Sequence, residues 1–114
     1  MSALVVLTTV NTSQQARKLT GLILKSKAAA CVTVLPPAES HYRWKGRIEK
    51  ARERVLLIKT RRSAYSRLEK ILRANHPYSV PEIIALPVTK GSRAYLKWLA
   101  EQTSFRGEAE KSPH

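Results

Sequence analysis

The segment ALVVLTTV, residues 3–10, constrains the fold more than any other part of this sequence. It is a short apolar run with several β-branched residues, a pattern typical of a strand that is covered on both faces. A chain of 114 residues has room for one hydrophobic core and hardly for a second. We therefore expect this strand to lie at the centre of a sheet, where helices cover one face and the other face needs a separate cover.

Two segments after this strand show the spacing of amphipathic helices. Thr12 and Gln15 fit a capping box, and the apolar residues that follow recur at helical intervals, which predicts a helix over about 12–27. Ser63 can cap a second helix. Pro77 ends that helix, because the residue before a proline is displaced from the helical region.

The middle of the chain predicts a long hairpin over about 38–54. Its turn is expected at the dipeptide KG, where Gly46 can take a positive φ. Before the turn the side chains alternate, so that Tyr42 and Trp44 share one face and basic residues the other. The returning strand extends over about 47–60, and its polar first half indicates that the hairpin tip projects beyond the core.

Residues 30–35 and 82–88 show further strand patterns, and Ser92 can cap a last helix. The predicted order is β-α-β-β-α-β followed by a terminal helix, which is the order of a ferredoxin-like α+β domain. Right-handed crossovers place both long helices on one side of an antiparallel sheet. We predict one such domain over residues 1–103 and a tail without periodicity over residues 104–114.

The two long helices leave one face of the predicted sheet open. The apolar first strand requires cover on that face, and few residues remain in the chain to provide it. Self-association supplies the cover most economically. We therefore predict a homo-oligomer in which the long hairpin acts as an arm.

The charge balance concerns the partners of the chain rather than its fold. The sequence carries 21 Lys and Arg against 8 acidic residues, all of them glutamates, for a formal net charge of +13. Such a field attracts anionic ligands, nucleic acid or anionic membranes. Much of the charge lies in one run, which is either a solvated face or a surface that binds anions or nucleic acid. The run comprises Arg43, Lys45, Arg47, Lys50, Arg52, Arg54, Lys59, Arg61 and Arg62.

Cysteine usage and apolar run length concern the cellular compartment. Cys31 is the only cysteine, so it cannot form a disulfide within the chain, and its apolar neighbours are typical of a buried thiol. No apolar run approaches the length of about 18 residues that is needed to span a bilayer. We therefore expect no membrane span and a reducing compartment, the cytoplasm.

The stretch NHPYSVPEIIALP, residues 75–87, contains the strongest candidate for a site. Its two prolines, Pro77 and Pro81, restrict the backbone of a loop that begins after His76 and ends at Glu82. The stretch is a helix stop, in which His76 caps carbonyl groups and Glu82 binds backbone amides, or a preorganised imidazole and carboxylate that face a cleft, and the two interpretations are compatible. The sequence holds no glycine-rich phosphate loop, no zinc motif and no nucleophile elbow, so we expect no enzymatic activity.

Several blocks of the chain are collinear with a known family over nearly all of residues 4–103. The blocks KAAACVTVLP, SHYRWKGRIE, VLLIKT and HPYSVPEIIALPVTKGSRAYLKWL together resemble the CutA family, the divalent-cation tolerance proteins. The resemblance implies a ferredoxin-like subunit in a tight homotrimer, similar in architecture to the PII signalling proteins, with hairpin strands that pair across subunits. It also implies no established enzymatic activity and an association with tolerance to divalent metals, especially copper.

The resemblance assigns site residues by position. The ligands that it implies for copper or another divalent metal ion are Cys31, His76 and Glu82. Thr8 and Asn75 stand where some metal-binding members carry a cysteine and a histidine, and oxygen donors there lower the expected affinity for copper. The residues predicted to bind a metal ion or small ligand in an inter-subunit cleft are Tyr42, Trp44, Lys59, His76, Tyr78, Glu82 and Trp98.

Alternatives to metal binding stay open at this point. One is a PII-like signalling or scaffolding trimer, and another is a basic module that binds small anions or nucleic acid. The aromatic residues Tyr42 and Trp44, at a projecting tip, are more typical of contacts between subunits than of a ligand cage.

Overall fold

The computed structural model describes residues 2–104, which form one antiparallel sheet and three helices. From residue 105 onward the predicted C-terminal tail lies outside the described residues. No helix within residues 2–104 is long and apolar enough to cross a membrane. The strands are β1 (Ala3–Val10), β2 (Cys31–Val34), β3 (Ala38–Trp44), β4 (Arg47–Arg61) and β5 (Ile84–Pro87), and the helices are α1 (Ser13–Lys25), α2 (Arg62–Asn75) and α3 (Arg93–Gln102).

The sheet is organised around β4, which is 15 residues long. Its strand order is β2-β4-β1-β5, and β3 pairs with the other part of β4. Each of these pairings is antiparallel. Because β1 lies between β4 and β5, the predicted central position of the first strand is confirmed.

One edge of the sheet is interrupted where the sequence pattern predicts a plain hairpin arm. β2 pairs with residues 56–59 of β4, and β3 pairs with residues 47–53. Between β2 and β3, Pro36 and Pro37 have no backbone N–H to donate, so the ladder of hydrogen bonds breaks there. The described sheet therefore has five strands, whereas the sequence pattern predicts four.

The hydrophobic core lies between the sheet and the two long helices. In α1 the buried residues Ala16, Leu19 and Ile23 recur at the spacing of one helix face, and α2 contributes Leu68 and Leu72. These side chains form one cluster with the strands, so both helices cover the same face, as predicted. The buried strand residues of the cluster are Leu4, Val6, Val10, Leu56 and Ile58, and the partly buried Val32 packs against them.

Two of the predicted helix caps are confirmed. Thr12 Oγ1 accepts a hydrogen bond from the backbone N–H of Gln15 at 3.1 Å, at the start of α1. Ser92 Oγ accepts one from the backbone N–H of Tyr95 at 3.2 Å, at the start of α3. Each bond satisfies one of the backbone donors that a helix start leaves without a partner.

The predicted cap of α2 is wrong, but its predicted end is confirmed. β4 continues directly into α2, so Arg61 occupies the capping position without a side-chain cap hydrogen bond and Ser63 lies within the first turn. At the other end, His76 has extended backbone angles, with φ −78° and ψ 138°. The helix stops there because Pro77 follows.

The hairpin turn sets the register of β3 and β4. Lys45 and Gly46 both have positive φ, 50° and 77°, which is the conformation of the tight turn that suits twisted hairpins. The register places Tyr42 directly opposite Glu49. Side chains opposite one another share a face, so Tyr42 and Trp44 lie on the same face as the odd-numbered residues of β4.

The two faces of the sheet differ in cover. Leu56 and Ile58 are fully buried in the core beneath the helices, and we call this side the helix face. The opposite side, the open face, carries Ile84 and Leu86 of β5, which are 50% and 52% exposed. The register places them opposite Leu7 and the neighbouring Val5 of β1, so apolar side chains continue across this face. The predicted open face is present at β5, where Ile84 and Leu86 stay half-exposed, while α3 lies against the part of this face that carries Cys31 and Arg61.

Burial within α1 predicts the effect of shortening its leucines. Leu19 is 1% exposed, whereas Leu22 is 38% exposed. Leu19→Ala should lower the free energy of unfolding by about 2–5 kcal/mol, because it removes packed methyl groups and leaves a cavity. Leu22→Ala is the matched control and should cost less than about 1 kcal/mol. Urea denaturation at one protein concentration measures both values, and equal losses would contradict this assignment of the core.

Candidate functional site

A cleft of about 840 Å³ opens between the β3–β4 hairpin and the loop after α2. The hairpin supplies one wall, the loop supplies the other, and residues at the end of β1 complete it. Four of the predicted ligand-binding residues line the cleft, namely Tyr42, Trp44, Tyr78 and Glu82. Thr9 and Glu53, which the sequence patterns did not indicate, line it as well.

His76 fastens the loop to the end of β1. Its Nε2 lies 2.8 Å from the carbonyl oxygen of Thr9, and its Nδ1 lies 3.1 Å from the backbone nitrogen of Tyr78. A carbonyl group can only accept a hydrogen bond and a backbone N–H can only donate one, so Nε2 carries the proton and Nδ1 accepts. His76 is thus held as a neutral imidazole, outside the set of side chains that line the cleft.

The surroundings of His76 favour this neutral form. Burial lowers the pKa of the imidazole below its ordinary value, while the Thr9 carbonyl and the charge of Glu53 act in the opposite direction with smaller effect. The ring lies edge-on to the ring of Tyr78, with 4.8 Å between the two centres. We conclude that His76 is a positioning residue that orients Tyr78 at the cleft wall.

A short hydrogen bond joins the loop to the hairpin. The Tyr78 hydroxyl donates to Glu53 Oε2 at 2.7 Å, and Glu53 is only 8% exposed. Burial, followed by this hydrogen bond, raises the pKa of the Tyr78 phenol, so the hydroxyl keeps its proton at neutral pH. Hydrogen bonds to a carboxylate are stronger than those between neutral groups. The bond therefore fixes the spacing of the two walls of the cleft.

The cleft lining differs in charge from the rest of the chain. The sequence contains 21 Lys and Arg, yet none of the described residues that line the cleft is a lysine or an arginine. The lining presents the carboxyl groups of Glu53 and Glu82 beside the rings of Tyr42, Trp44 and Tyr78. Carboxylates attract cations, and so do the faces of aromatic rings. The cleft is therefore suited to a positively charged ligand.

The other predicted site residues meet in a second cluster. Lys59 Nζ donates to Thr33 Oγ1 at 2.6 Å and lies 3.9 Å from Sγ of Cys31, which is half-buried. Burial, followed by the proximity of Cys31, raises the pKa of the Tyr95 phenol, and the Tyr95 ring lies 5.5 Å from the ring of Trp98. Cys31, Lys59 and Trp98 thus belong to this cluster, and none of the three lines the cleft.

The predicted metal ligands do not fit a metal ion within one chain. Among residues 2–104, no group of three or more His, Cys, Asp or Glu side chains could hold a metal ion. Cys31 lies in the second cluster, Glu82 lines the cleft, and both ring nitrogens of His76 are engaged in hydrogen bonds. The metal-binding role of these three residues stays a prediction, without support from the geometry of a single chain.

Thr8 and Asn75, which the sequence comparison singles out, also lie outside the cleft lining. Thr8 is fully buried and pairs with Leu56, which places its side chain on the helix face. Asn75 Nδ2 donates to the carbonyl oxygen of Ile71 at 2.9 Å, within the last turn of α2. Both side chains therefore serve the core or the helix end in this chain.

Comparison with known proteins identifies the family. The profile of the CutA1 divalent ion tolerance protein family matches residues 4–102. The chain belongs to this family. A CutA relative from Thermus thermophilus, named a divalent-cation tolerance protein, is 43% identical over 99 residues, which are 87% of this chain and 96% of that protein. The CutA structure solved from the same organism superposes with a TM-score of 0.87 and covers 90% of this chain and 99% of that chain, at 42% identity.

Two further CutA proteins show how the family varies. The chloroplastic CutA of Arabidopsis thaliana is 45% identical over 101 residues, which are 89% of this chain but 56% of that protein. This chain therefore spans little more than half of that relative. The structure described as the periplasmic divalent cation tolerance protein CutA of Archaeoglobus fulgidus has a TM-score of 0.86 at 30% identity, over 91% of this chain and 100% of that one. The family and these bacterial and archaeal proteins are named for tolerance rather than for an enzymatic reaction.

Glu53 and Thr9 escape sequence patterns for different reasons. Glu53 lies within a basic run and looks like a charge that merely offsets its neighbours. A two-residue hairpin turn nevertheless implies a register in which Glu53 shares a face with Tyr42 and Trp44, so strict pairing would have found it. Thr9 offers its backbone carbonyl to His76, and a side-chain pattern carries no information about such a contact.

The lowered pKa of His76 predicts how stability depends on pH. Burial lowers the pKa of His76 in the folded chain, and protonation would also break the hydrogen bond that Nδ1 accepts, whereas the unfolded chain takes up a proton near the ordinary pKa of about 6.5. This contribution to stability is present above pH 6.5 and should be lost as the pH falls below it. Urea denaturation between pH 5.5 and about 7.5 should show this loss, and His76→Gln should flatten the curve. An NMR titration in which His76 takes up its proton at or above the ordinary value would contradict the assignment.

Proposed function

We propose that this chain takes part in the tolerance of divalent cations, as a homotrimer of ferredoxin-like subunits whose clefts bind a small cation. Membership of the CutA1 family supports the process. The strand order β2-β4-β1-β5, with α1 and α2 on one face, supports the ferredoxin-like arrangement. One observation carries the ligand assignment: a chain of net charge +13 lines its cleft with glutamates and aromatic rings, and with no described lysine or arginine.

The donor atoms of the cleft favour a hard divalent ion or an organic cation over copper. Glu53 and Glu82 offer carboxylate oxygens, which suit ions such as Mg²⁺ or Ca²⁺ better than copper. The aromatic rings attract ammonium groups, and Lys45 Nζ already lies 6.0 Å from the centre of the Trp44 ring. Copper prefers imidazole and thiolate ligands, and the predicted imidazole and thiol are engaged elsewhere. We therefore expect copper to bind to this cleft more weakly than the family's association with copper tolerance implies.

The open face supports the homotrimer. Ile84 and Leu86 are half-exposed on a face that a neighbouring subunit would cover, and Leu7 and Leu57 adjoin them across the strands. Exposed apolar side chains in a contiguous row are typical of association surfaces. In such a trimer the hairpin extends to a neighbouring subunit, and the cleft beside it becomes an inter-subunit cleft.

A signalling role and a cytoplasmic location complete the proposal. Occupancy of the cleft by a ligand would hold the hairpin against the loop, and a PII-like trimer could report that state to a partner protein. The single cysteine suits a reducing compartment such as the cytoplasm, although relatives are named from the chloroplast and the periplasm. No catalytic role is assigned to the cleft.

The proposed trimer predicts the mass of the assembly in solution, and it predicts that a charge placed on the open face lowers that mass. In sedimentation equilibrium at micromolar concentration the chain should have three times its own mass of 12.8 kDa. Ile84→Lys places a charge on the open face and should dissociate the assembly. Leu24→Lys is the matched control, because Leu24 is 42% exposed on α1, away from both the hairpin and the open face, and it should leave the mass unchanged. A wild-type mass of a single chain would reject the assembly.

The cleft assignment predicts a saturable change in the fluorescence of Trp44. Trp98→Phe leaves Trp44 as the one tryptophan of the chain, and its emission then reports on the cleft. Titration with MgCl₂, ZnCl₂, CuCl₂ or tetramethylammonium chloride, at constant ionic strength and up to about 10 mM, detects millimolar affinity. We expect saturation with Mg²⁺ or tetramethylammonium, and Glu82→Gln should weaken it by about tenfold.

The control for this titration removes the same charge elsewhere. Glu101→Gln alters an exposed glutamate of α3 that does not line the cleft, and it should leave the affinity unchanged. Equal weakening by Glu82→Gln and Glu101→Gln would mean that the cations respond to net charge rather than to the cleft. Tighter binding of Cu²⁺ than of every other cation would contradict the ligand preference while leaving the cleft in place.

A further inference from the structure

The β3–β4 hairpin carries basic side chains on the side opposite to its cleft lining. β4 is one continuous strand, and its successive side chains point to opposite faces. Its even-numbered residues therefore lie on the helix face along the whole strand, including the part near the hairpin tip. Arg54 lies opposite Val10, which is fully buried beneath the helices, and this register places Arg54 on the helix face. Arg52 and Lys50 follow at steps of two residues, and Arg43 joins them from β3. We call these four basic residues the basic ribbon face.

Acidic groups offset this charge only in part. Among the described residues of the hairpin, Glu39 is the one acidic residue on this side. Its Oε1 lies 3.0 Å from His41 Nε2, and its Oε2 lies 3.9 Å from Lys50 Nζ. The Lys50 side chain is 68% exposed, and Arg43 and Arg52 are also exposed. One carboxylate against four basic side chains leaves the basic ribbon face strongly positive.

The neighbouring helices extend the positive surface on the same side of the sheet. α1 contains no acidic residue, and α2 contains one, Glu69, which lies 3.6 Å from Arg73. Because both helices pack on the helix face, their exposed side chains lie on the same side of the sheet as the basic ribbon face. The exposed basic residues of the two helices are Arg17, Lys18, Lys25, Arg62, Arg67, Lys70 and Arg73.

We propose that the basic ribbon face binds the phosphate backbone of nucleic acid without sequence preference. Same-face side chains along a strand are about 6.8 Å apart, which is twice the axial spacing of about 3.4 Å between the phosphates of one DNA strand. Arginine, which provides three of the four residues, presents a planar fork of donors that matches phosphate oxygens. A two-stranded ribbon also has the width that the major groove of DNA admits.

An anionic membrane fits this surface less well than nucleic acid does. Binding at a membrane interface needs an apolar face beside the positive charge. Within the described part of the hairpin, Ile48 is the one large apolar side chain on this side, at the tip. The proposal is independent of cation tolerance, because the residues that carry it lie on the other side of the ribbon from Tyr42, Trp44 and Glu53.

The test compares charge reversals on the two sides of the same strand. Binding of a fluorescein-labelled 20-base-pair DNA duplex is measured by anisotropy from about 25 to 200 mM NaCl, where phosphate binding gives a steep salt dependence. Arg52→Glu should weaken binding at least about tenfold and reduce the logarithmic salt slope by about one for each phosphate that the variant no longer neutralises. Lys50→Glu, at a more exposed position, should act in the same direction and guards against misfolding of the first variant.

Arg47→Glu is the matched control. Arg47 lies on β4 opposite Trp44, on the other side of the ribbon, and its reversal changes the net charge by the same amount. It should weaken binding less than about twofold, since screening limits the effect of a charge beyond about 8–10 Å. Equal weakening by Arg47→Glu and Arg52→Glu would overturn the proposal, because net charge alone would then explain the binding. Absence of binding at 25 mM NaCl, or binding only to vesicles containing phosphatidylserine, would overturn it as well.

Discussion

The alternation of side chains along β4 determines what each surface of this chain presents. β4 pairs with β1, β2 and β3, so its register fixes the position of nearly the whole sheet. On one side Leu56 and Ile58 enter the core and Arg52 continues toward the tip; on the other side Glu53 reaches the cleft and Leu57 the open face. A slip of one residue would exchange the two sets, burying a carboxylate under the helices and exposing the core leucine. Core, cleft and basic surface therefore depend on one register.

Contacts at both ends of β4 hold that register. At the tip, the tight turn with positive φ at Lys45 and Gly46 admits one alignment of the two hairpin arms. At the other end, Thr60 Oγ1 donates to the carbonyl oxygen of Ala28 at 2.7 Å in a buried position. A buried group that loses its hydrogen-bond partner costs about 1–3 kcal/mol. A shift of β4 by one residue would break this bond, so this end of the strand also favours the observed register. The hairpin arm thus stays aligned over its full length although its outer half lacks a helix beneath it.

Sequence periodicity predicts the features of this fold that depend on the pattern of side chains. It does not predict features that depend on backbone geometry. The order of elements, the central β1, the caps at Thr12 and Ser92 and the turn at Gly46 all follow from local patterns. Ser63 fails as a cap because β4 runs into α2 without a loop, which no local pattern indicates. The cleft shows the same division. Tyr78 and Glu82 follow from the resemblance to the CutA family rather than from periodicity, whereas the fixed tautomer of His76 depends on two backbone groups that come together only in the folded chain.

The two sides of the hairpin ribbon are proposed to bind ligands of opposite charge: a cation in the cleft on one side and phosphate groups on the other. At physiological ionic strength exposed charges are screened over about 8 Å, so the arginines on one side act only weakly on a ligand at the other side. Glu53, at 8% exposure, is screened less by solvent than the exposed arginines are. Close to Glu53 the carboxylate therefore acts on a ligand more strongly than the arginines on the far side do, while Lys45 Nζ, 6.0 Å from the centre of the Trp44 ring, adds positive charge at the tip. Added salt therefore weakens the attraction of phosphate to the exposed arginines more than it weakens the attraction of a cation to the buried Glu53.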